Sequence, residues 1–347
     1  MKKILIIKMS ALGDLFMALP QIDAIIAQHP GDEMWIMTSP PFREIFSDHP
    51  LLKTVILDRN KKFGTESRMG RILWVRREKF DEVYDLQGNK TSRLLTLFSA
   101  APRRIGSQPM KIYTHSPTAP YTSESRYNVF KRLNEILVSA GLQPASENCT
   151  VYPPDTYVRK VEEWKKAHGL CSRKYVVFHA GSSSEWATKR WPEEYFREVA
   201  LLFENQGYRS VWTGGPDESG INRRLAEKVG IDASGQLGFL ELFVLGRDAE
   251  FAITNDSGPM HILAASGIPV FSFFGPTSWV RSHAVGQRNR VLTRGLDCSP
   301  CFLKKCPPER DHACMREISP EYVCARIHED LHEGRRTGRC RGSSRGY

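Results

Sequence analysis

The sequence predicts an α/β chain of two doubly wound, parallel-sheet domains. Short continuous apolar runs recur along it, amphipathic stretches separate them, and the alternation restarts after a Pro153-Pro154 breaker. A strand buried on both faces reads as an unbroken apolar run, and the parallel neighbour it needs is reached through a helix. A length of 347 residues accommodates two such domains of about 150 each.

In the first half the strands are read at KILIIKM (3–9), MWIMTS (34–39), TVILD (54–58) and EVYDLQG (82–88). Helices are expected at 14–28, 68–79 and 127–140, the first of them kinked or interrupted by Pro20. A charged helical stretch near 156 opens the second series, with strands at YVVFHAG (175–181), RSVWTGG (209–215), FAITNDSG (251–258) and VFSFFGPT (270–277). Its helices are expected at 192–205, 218–229 and 240–245, with a short one after Asp256. The resulting domains are 1–152 and 156–334, and the last helix, 320–332, is expected to pack back across the first domain. In open sheets of this kind ligands sit beyond the carboxyl ends of the strands, so the loops of two facing sheets would line one cleft.

Composition narrows the class. Apolar residues make up 41% and charged residues 25%, which excludes disorder as the default. The net charge of +10 is uneven: residues 335–347 carry five arginines and no carboxylate and read as a flexible basic tail. The opening MKKILIIKMSALGD reaches Gly13-Asp14 too soon for an export signal, and no window of about 18 apolar residues suggests a membrane span. A cytoplasmic location is expected.

The loops after the strands carry the chemistry. Asp14 stands where the first strand turns into a helix, as a helix cap or as a carboxylate placed for general-base work. After YVVFHAG come Ser182, Ser183 and Ser184 with Lys189, a set of hydroxyls and one mobile cation that suits a phosphate and equally reads as a solvated loop. Gly214 and Gly215 make a turn before Glu218, which can pair with ribose hydroxyls or favour a helix dipole. In TNDSGPMHILAAS, residues Asp256, Ser257, Gly258 and Pro259 precede a helix whose free N–H groups can take an anion. His261, one turn on, can face a ligand or pack against the sheet.

No GxGxxG follows the first strand, no GxxxxGK[ST] appears, and no strand-to-helix turn carries a GxSxG elbow, so dinucleotide oxidoreductases, P-loop NTPases and α/β-hydrolases lose support. Cys298, Cys301, Cys306 and Cys314 cluster in DCSPCFLKKCPPERDHAC, with His312 as a further candidate ligand. The CxxC pair suits a metal or a redox pair, but the other spacings match no common zinc pattern, leaving structural metal, disulfide and free-thiol readings open.

Taken together, ILIIKMSALGDLFMALP, FHAGSSSEWATKRWPEEYF, WTGGPDESGINRRLAE and ITNDSGPMHILAASGIPVFSFFGPT resemble the glycosyltransferase family 9 proteins, the ADP-heptose:lipopolysaccharide heptosyltransferases. The resemblance runs from about residue 3 to residue 330. It implies a GT-B fold of two Rossmann-like domains, acceptor on the first and nucleotide sugar on the second. It further implies inverting transfer of L-glycero-D-manno-heptose with neither cofactor nor catalytic metal. On the matching positions, Asp14 resembles the general base and Lys189 the lysine that neutralises the donor diphosphate, beside Ser182 and Ser183. Glu218 resembles the acidic residue that meets the ribose, and Asp256, Ser257 and Gly258, followed by Pro259 and His261, resemble the phosphate-holding loop and helix.

The implied partners are ADP-heptose, a lipopolysaccharide core acceptor and the inner face of the inner membrane, with no nucleic acid. Lys61, Lys62, Arg68, Arg71, Arg76, Arg77, Arg103 and Arg104 would suit an anionic acceptor or form solvated helix faces. Two alternatives stand beside this reading: a GT-B enzyme using another nucleotide sugar, and a non-catalytic protein binding zinc and nucleic acid.

Overall fold

A computed structural model describes residues 1–118 and 128–336. The basic tail expected at 335–347 lies almost wholly outside the described residues. The chain divides into two units between Pro154 and Asp155.

The first unit holds a five-stranded parallel sheet: β1 (Lys3–Ile7), β2 (Glu33–Thr38), β3 (Leu52–Ile56), β4 (Glu82–Asp85) and β5 (Arg103–Ile105), in the order β3-β2-β1-β4-β5. The strand order reverses between β1 and β4, where a doubly wound sheet opens its ligand crevice. Ile7 lies in register with Met37 on one side and Asp85 on the other. The expected helix 14–28 is two helices, α1 (Leu12–Phe16) and α2 (Leu19–Ala27). Pro20 falls in the first turn of α2, where its missing N–H and fixed φ are tolerated. Next come α3 (Arg68–Glu78), α4 (Lys90–Ser99) and α5 (Val129–Ser139). Helix α4 escaped the sequence reading because KTSRLLTLFS is mostly polar. Its start is set by a reciprocal cap in which Asn89 Oδ1 accepts from Ser92 N and Ser92 Oγ accepts from Asn89 N, each at 3.0 Å. One core cluster joins Leu5, Ile7, Val55 and Val83 of the sheet to Val75 and Leu95 of α3 and α4.

The second unit begins with α6 (Asp155–Ala167) and holds six parallel strands: β6 (Tyr175–His179), β7 (Arg209–Trp212), β8 (Ile231–Asp232), β9 (Phe251–Asn255), β10 (Val270–Phe273) and β11 (Val291–Leu292). Their order is β11-β10-β9-β6-β7-β8, a full Rossmann sheet that reverses between β6 and β9. The helices are α7 (Glu193–Asn205), α8 (Ser219–Ala226), α9 (Phe239–Asp248), α10 (Gly258–Ala265), α11 (Trp279–Ser282), α12 (Ala313–Arg316) and α13 (Pro320–Arg336). Aromatic rings fill this core, with Trp191 stacked on Phe273 at 4.3 Å between centroids.

Helix α13 contributes to the core of its own unit. Its apolar stripe, Val323, Ile327 and Leu331, is buried in the core of the second unit together with Phe203 of α7, and Asp330 binds Arg290 at 2.9 Å. That stripe recurs every four residues and matches the apolar face of α7. No helix of the described residues is long and apolar enough to cross a membrane.

Candidate active site

Each switch point carries a cluster of polar side chains. In the second unit the loops after β6, β9 and β10 meet around Asn255, which is fully buried. Its Nδ2 donates to the carbonyls of Ala180 (2.8 Å) and Gly181 (3.1 Å), and its Oδ1 accepts from Trp191 N (2.9 Å). One amide thus ties the serine loop, the segment carrying Lys189 and the end of β9. Sequence reasoning passed over Asn255, although its place as the last residue of a buried strand was a usable signal.

Lys189 Nζ lies 2.8 Å from Asp256 Oδ2, and Thr277 Oγ1 donates to the same oxygen at 2.7 Å. Asp256 is 8% exposed and Lys189 20%, so the pair is partly withdrawn from water while the ammonium keeps an open side. The ammonium also stands 5.3 Å from the Trp186 ring centroid. Thr188 fixes the adjoining backbone: its Oγ1 donates to Leu303 O (2.8 Å) and its carbonyl faces His312 Nε2 (2.6 Å). The cysteine-bearing loop therefore braces Lys189 through its neighbour, and His312, read from sequence as a candidate metal ligand, binds a carbonyl.

Ser257 is the N-cap of α10, but its hydroxyl donates back to Asn255 O (3.2 Å), and no side chain caps the helix. With Pro259 in this first turn, Gly258 and Met260 carry its leading backbone N–H groups beside Asp256. Ser182 is committed to the protein: it donates to Trp186 O (2.9 Å) and accepts from Arg190 Nε (3.1 Å). Ser183 is exposed, and His261 is buried on α10.

Glu218 ends a short 3-10 turn ahead of α8 and accepts from Gly215 N at 2.7 Å. Its Oε1 approaches His179 Nε2 at 3.5 Å. Burial pushes His179 below the ordinary imidazole range, so this contact is a polar approach to a neutral ring, whose Nδ1 faces Thr213 O at 3.0 Å. The carboxylate lies directly over Gly181, where a Cβ would stand 1.8 Å from Oε1. Only glycine at the end of β6 leaves room for Glu218 there.

In the first unit Asp14 sits in the first turn of α1 and is half-buried, its Oδ2 reaching back to Ala11 N at 3.5 Å. The loop before it is clamped by Gln87 Oε1, which accepts from Met9 N (2.8 Å) and Ser10 N (2.9 Å). Gln87 follows β4, so the two switch-point loops of this sheet are bonded together. Asp85 is fully buried there and accepts from Gly88 N (2.8 Å), Ser92 Oγ (3.0 Å) and Tyr113 OH (2.7 Å). Lys8 is buried at the end of β1, where burial lowers its pKa against the raising influence of the Asp14 carboxylate. Neither Asp85, Gln87 nor Lys8 was singled out from sequence.

Of the eight basic residues proposed to meet an acceptor, three are bound internally. Arg71 Nε donates to Ile56 O (2.6 Å), Arg103 to Ala140 O (2.8 Å), and Arg104 to Ile112 O (2.8 Å). Lys61 pairs with Glu66, and Lys62, Arg68, Arg76 and Arg77 are exposed.

Cys298, Cys301, Cys306 and Cys314 are free thiols. Burial pushes Cys314 up to about 11, and the other three cysteines are close enough to add to that rise. Among the described residues no three His, Cys, Asp or Glu side chains are placed to hold one metal ion.

Several known proteins resemble this chain along most of its length. A protein from Pseudomonas aeruginosa, lipopolysaccharide heptosyltransferase 1, is 26% identical over 363 residues, covering 94% of this chain and 97% of its own. A family 9 glycosyltransferase structure from Veillonella parvula superposes with a TM-score of 0.80 at 22% identity, over 96% of this chain and 97% of that one. An Escherichia coli heptosyltransferase solved with ADP-2-deoxy-2-fluoro heptose gives a TM-score of 0.65 at 20% identity, over 94% and 99%. These likenesses identify the two Rossmann-like units as a GT-B fold. The sequence profile of glycosyltransferase family 9 (heptosyltransferase) matches residues 72–312, and the chain belongs to that family of glycosyltransferases.

Proposed function

We propose that this chain transfers heptose from ADP-L-glycero-D-manno-heptose to the inner core of lipopolysaccharide, with inversion and without a catalytic metal. The observation that carries the reading is the uncapped N-terminus of α10 beside the Lys189–Asp256 pair at the switch point of the second sheet. Support comes also from the family match and from the donor analogue bound by the E. coli relative.

In this reading the second unit holds the donor. Backbone N–H groups of α10 and the Lys189 ammonium take up the charge that accumulates on ADP as the anomeric C–O bond breaks. Glu218 meets the ribose hydroxyls from its place over Gly181. The first unit serves the acceptor, whose attacking hydroxyl passes its proton to Asp14. One displacement forms the new glycosidic bond as the old one breaks, so the anomeric centre inverts. The acceptor lies at the cytoplasmic face of the inner membrane, which the protein contacts peripherally.

Calorimetric titration with ADP, UDP and GDP in the presence of a chelator tests the donor. Selective ADP binding and metal-independent heptosyl transfer to a core acceptor are expected. Preference for UDP or GDP would replace the donor.

A further inference from the structure

Three of the most exposed large apolar side chains of the protein lie in one short stretch: Phe63 (86%), Met69 (62%) and Leu73 (65%). Phe63 stands on the loop between β3 and α3, and Met69 and Leu73 are one turn apart on α3. The opposite side of α3 is occupied: Val75 is fully buried, Trp74 meets Trp35 and Phe80 edge-on at 5.5 and 5.4 Å, and Ser67 caps the helix at Gly70 N. The outer side is left to solvent. There Lys62, Arg68, Arg76, Arg77 and Lys79 are exposed, and none of them forms an ion pair among the described residues.

We propose that this outer face of α3, with the loop before it, docks the first unit on an anionic lipid bilayer. It names the surface for the membrane contact proposed above and rests on that reading. Phe63, Met69 and Leu73 enter the boundary between headgroups and acyl chains, while the five cations stay level with the lipid phosphates.

Charge complementarity selects the occupant. A bilayer carries mobile phosphates directly above its acyl chains, so it satisfies interspersed cations and apolar tips together without a shaped counter-surface. The loop with Lys62 and Phe63 and the first turn of α3 with Arg68 and Met69 lie at the carboxyl end of β3, the same edge of the sheet that bears the Asp14 loop, and α3 then runs back toward the amino edge, where Glu78 pairs with Lys3. A lipid-linked acceptor would approach from that edge.

The test is co-sedimentation of the full chain with vesicles of phosphatidylcholine alone or mixed with phosphatidylglycerol, with and without added salt. Binding to the mixed vesicles only, weakened by salt, is expected. The double variant Met69→Ser/Leu73→Ser leaves net charge unchanged and is expected to lower the partition coefficient roughly ten-fold or more. Arg76→Ser/Arg77→Ser is expected to lower it by a similar factor. Far-UV circular dichroism and ADP binding of Met69→Ser/Leu73→Ser should match the parent, as should its transfer to a detergent-dispersed acceptor. Equal binding to both vesicle types, binding to neither, or unchanged binding by Met69→Ser/Leu73→Ser would overturn the proposal. Failure of heptosyl transfer in a chain that still binds anionic vesicles would instead overturn the catalytic reading and leave this surface standing.

Discussion

Lys189 and Asp256, 67 residues apart in sequence, meet at 2.8 Å beside the open N-terminus of α10, and Thr277 shares the carboxylate. The aspartate holds the ammonium beside the start of α10, where the proposed reading places the donor diphosphate. Lys189→Ala removes a cation from that site and leaves a nearly buried carboxylate with one hydroxyl partner. ADP affinity should fall at least ten-fold by calorimetry, and urea unfolding should show a loss of about 1–3 kcal/mol. Unchanged ADP affinity would remove Lys189 from the donor site.

Asp14 stands in the other unit, its one hydrogen bond among the described residues a long contact from Ala11 N at 3.5 Å, and in the proposed reading its carboxylate takes the acceptor proton. Asp14→Asn keeps the shape and removes the base. Turnover is expected to drop by roughly 10²–10⁴ with ADP binding within two-fold of the parent. Full turnover in Asp14→Asn would end its role as the base.

Asn255 makes three buried hydrogen bonds that join separate loops. Asn255→Ala leaves Trp191 N–H without its acceptor and removes a donor from two carbonyls. A stability loss of about 2–4 kcal/mol is expected in denaturant unfolding, together with weaker ADP binding through displacement of Lys189. A loss below about 1 kcal/mol would mean that the loops hold their positions without it.

Asp23 gives a pH signature. Burial raises its carboxyl from 3.8 to about 6, against the lowering influence of the hydrogen bond from Thr150 N at 2.7 Å. The folded state binds this proton more tightly than the unfolded chain, so the penalty is absent below pH 3.8 and fully present above about pH 6. Its contribution therefore diminishes stability as pH rises through that window. Asp23→Asn should raise stability at pH 7 by about 1–3 kcal/mol and flatten the pH dependence between those limits, read by urea unfolding across pH. An unchanged slope would place the Asp23 carboxyl in water.

Much of this was legible in the sequence because buried parallel strands announce themselves. KILII and FAITN are continuous apolar runs, and the loops after them hold Asp14 and Asp256, so topology alone puts those residues at carboxyl edges. The three-residue β5 and two-residue β8 and β11 left no periodic signal, and their pairing is decided by neighbours already in place. The basic residues show the same divide. Arg71 and Arg76 look alike in sequence, yet only the fold gives Arg71 a carbonyl at Ile56 and turns Arg76 outward.

The sequence by itself determined the alternating strands and helices, the two-unit organisation and the family, since each rests on local periodicity or on contiguous motifs. Tertiary structure alone decided which side chains meet: Asn255 at the end of β9 bonding to the β6–α7 connection at three points, Gln87 clamping the backbone before Asp14, Glu218 seated over Gly181, and α13 closing the core of the second unit. Those contacts join residues far apart in the chain. They depend on how strands stack and helices cross, which a linear pattern does not encode one residue at a time.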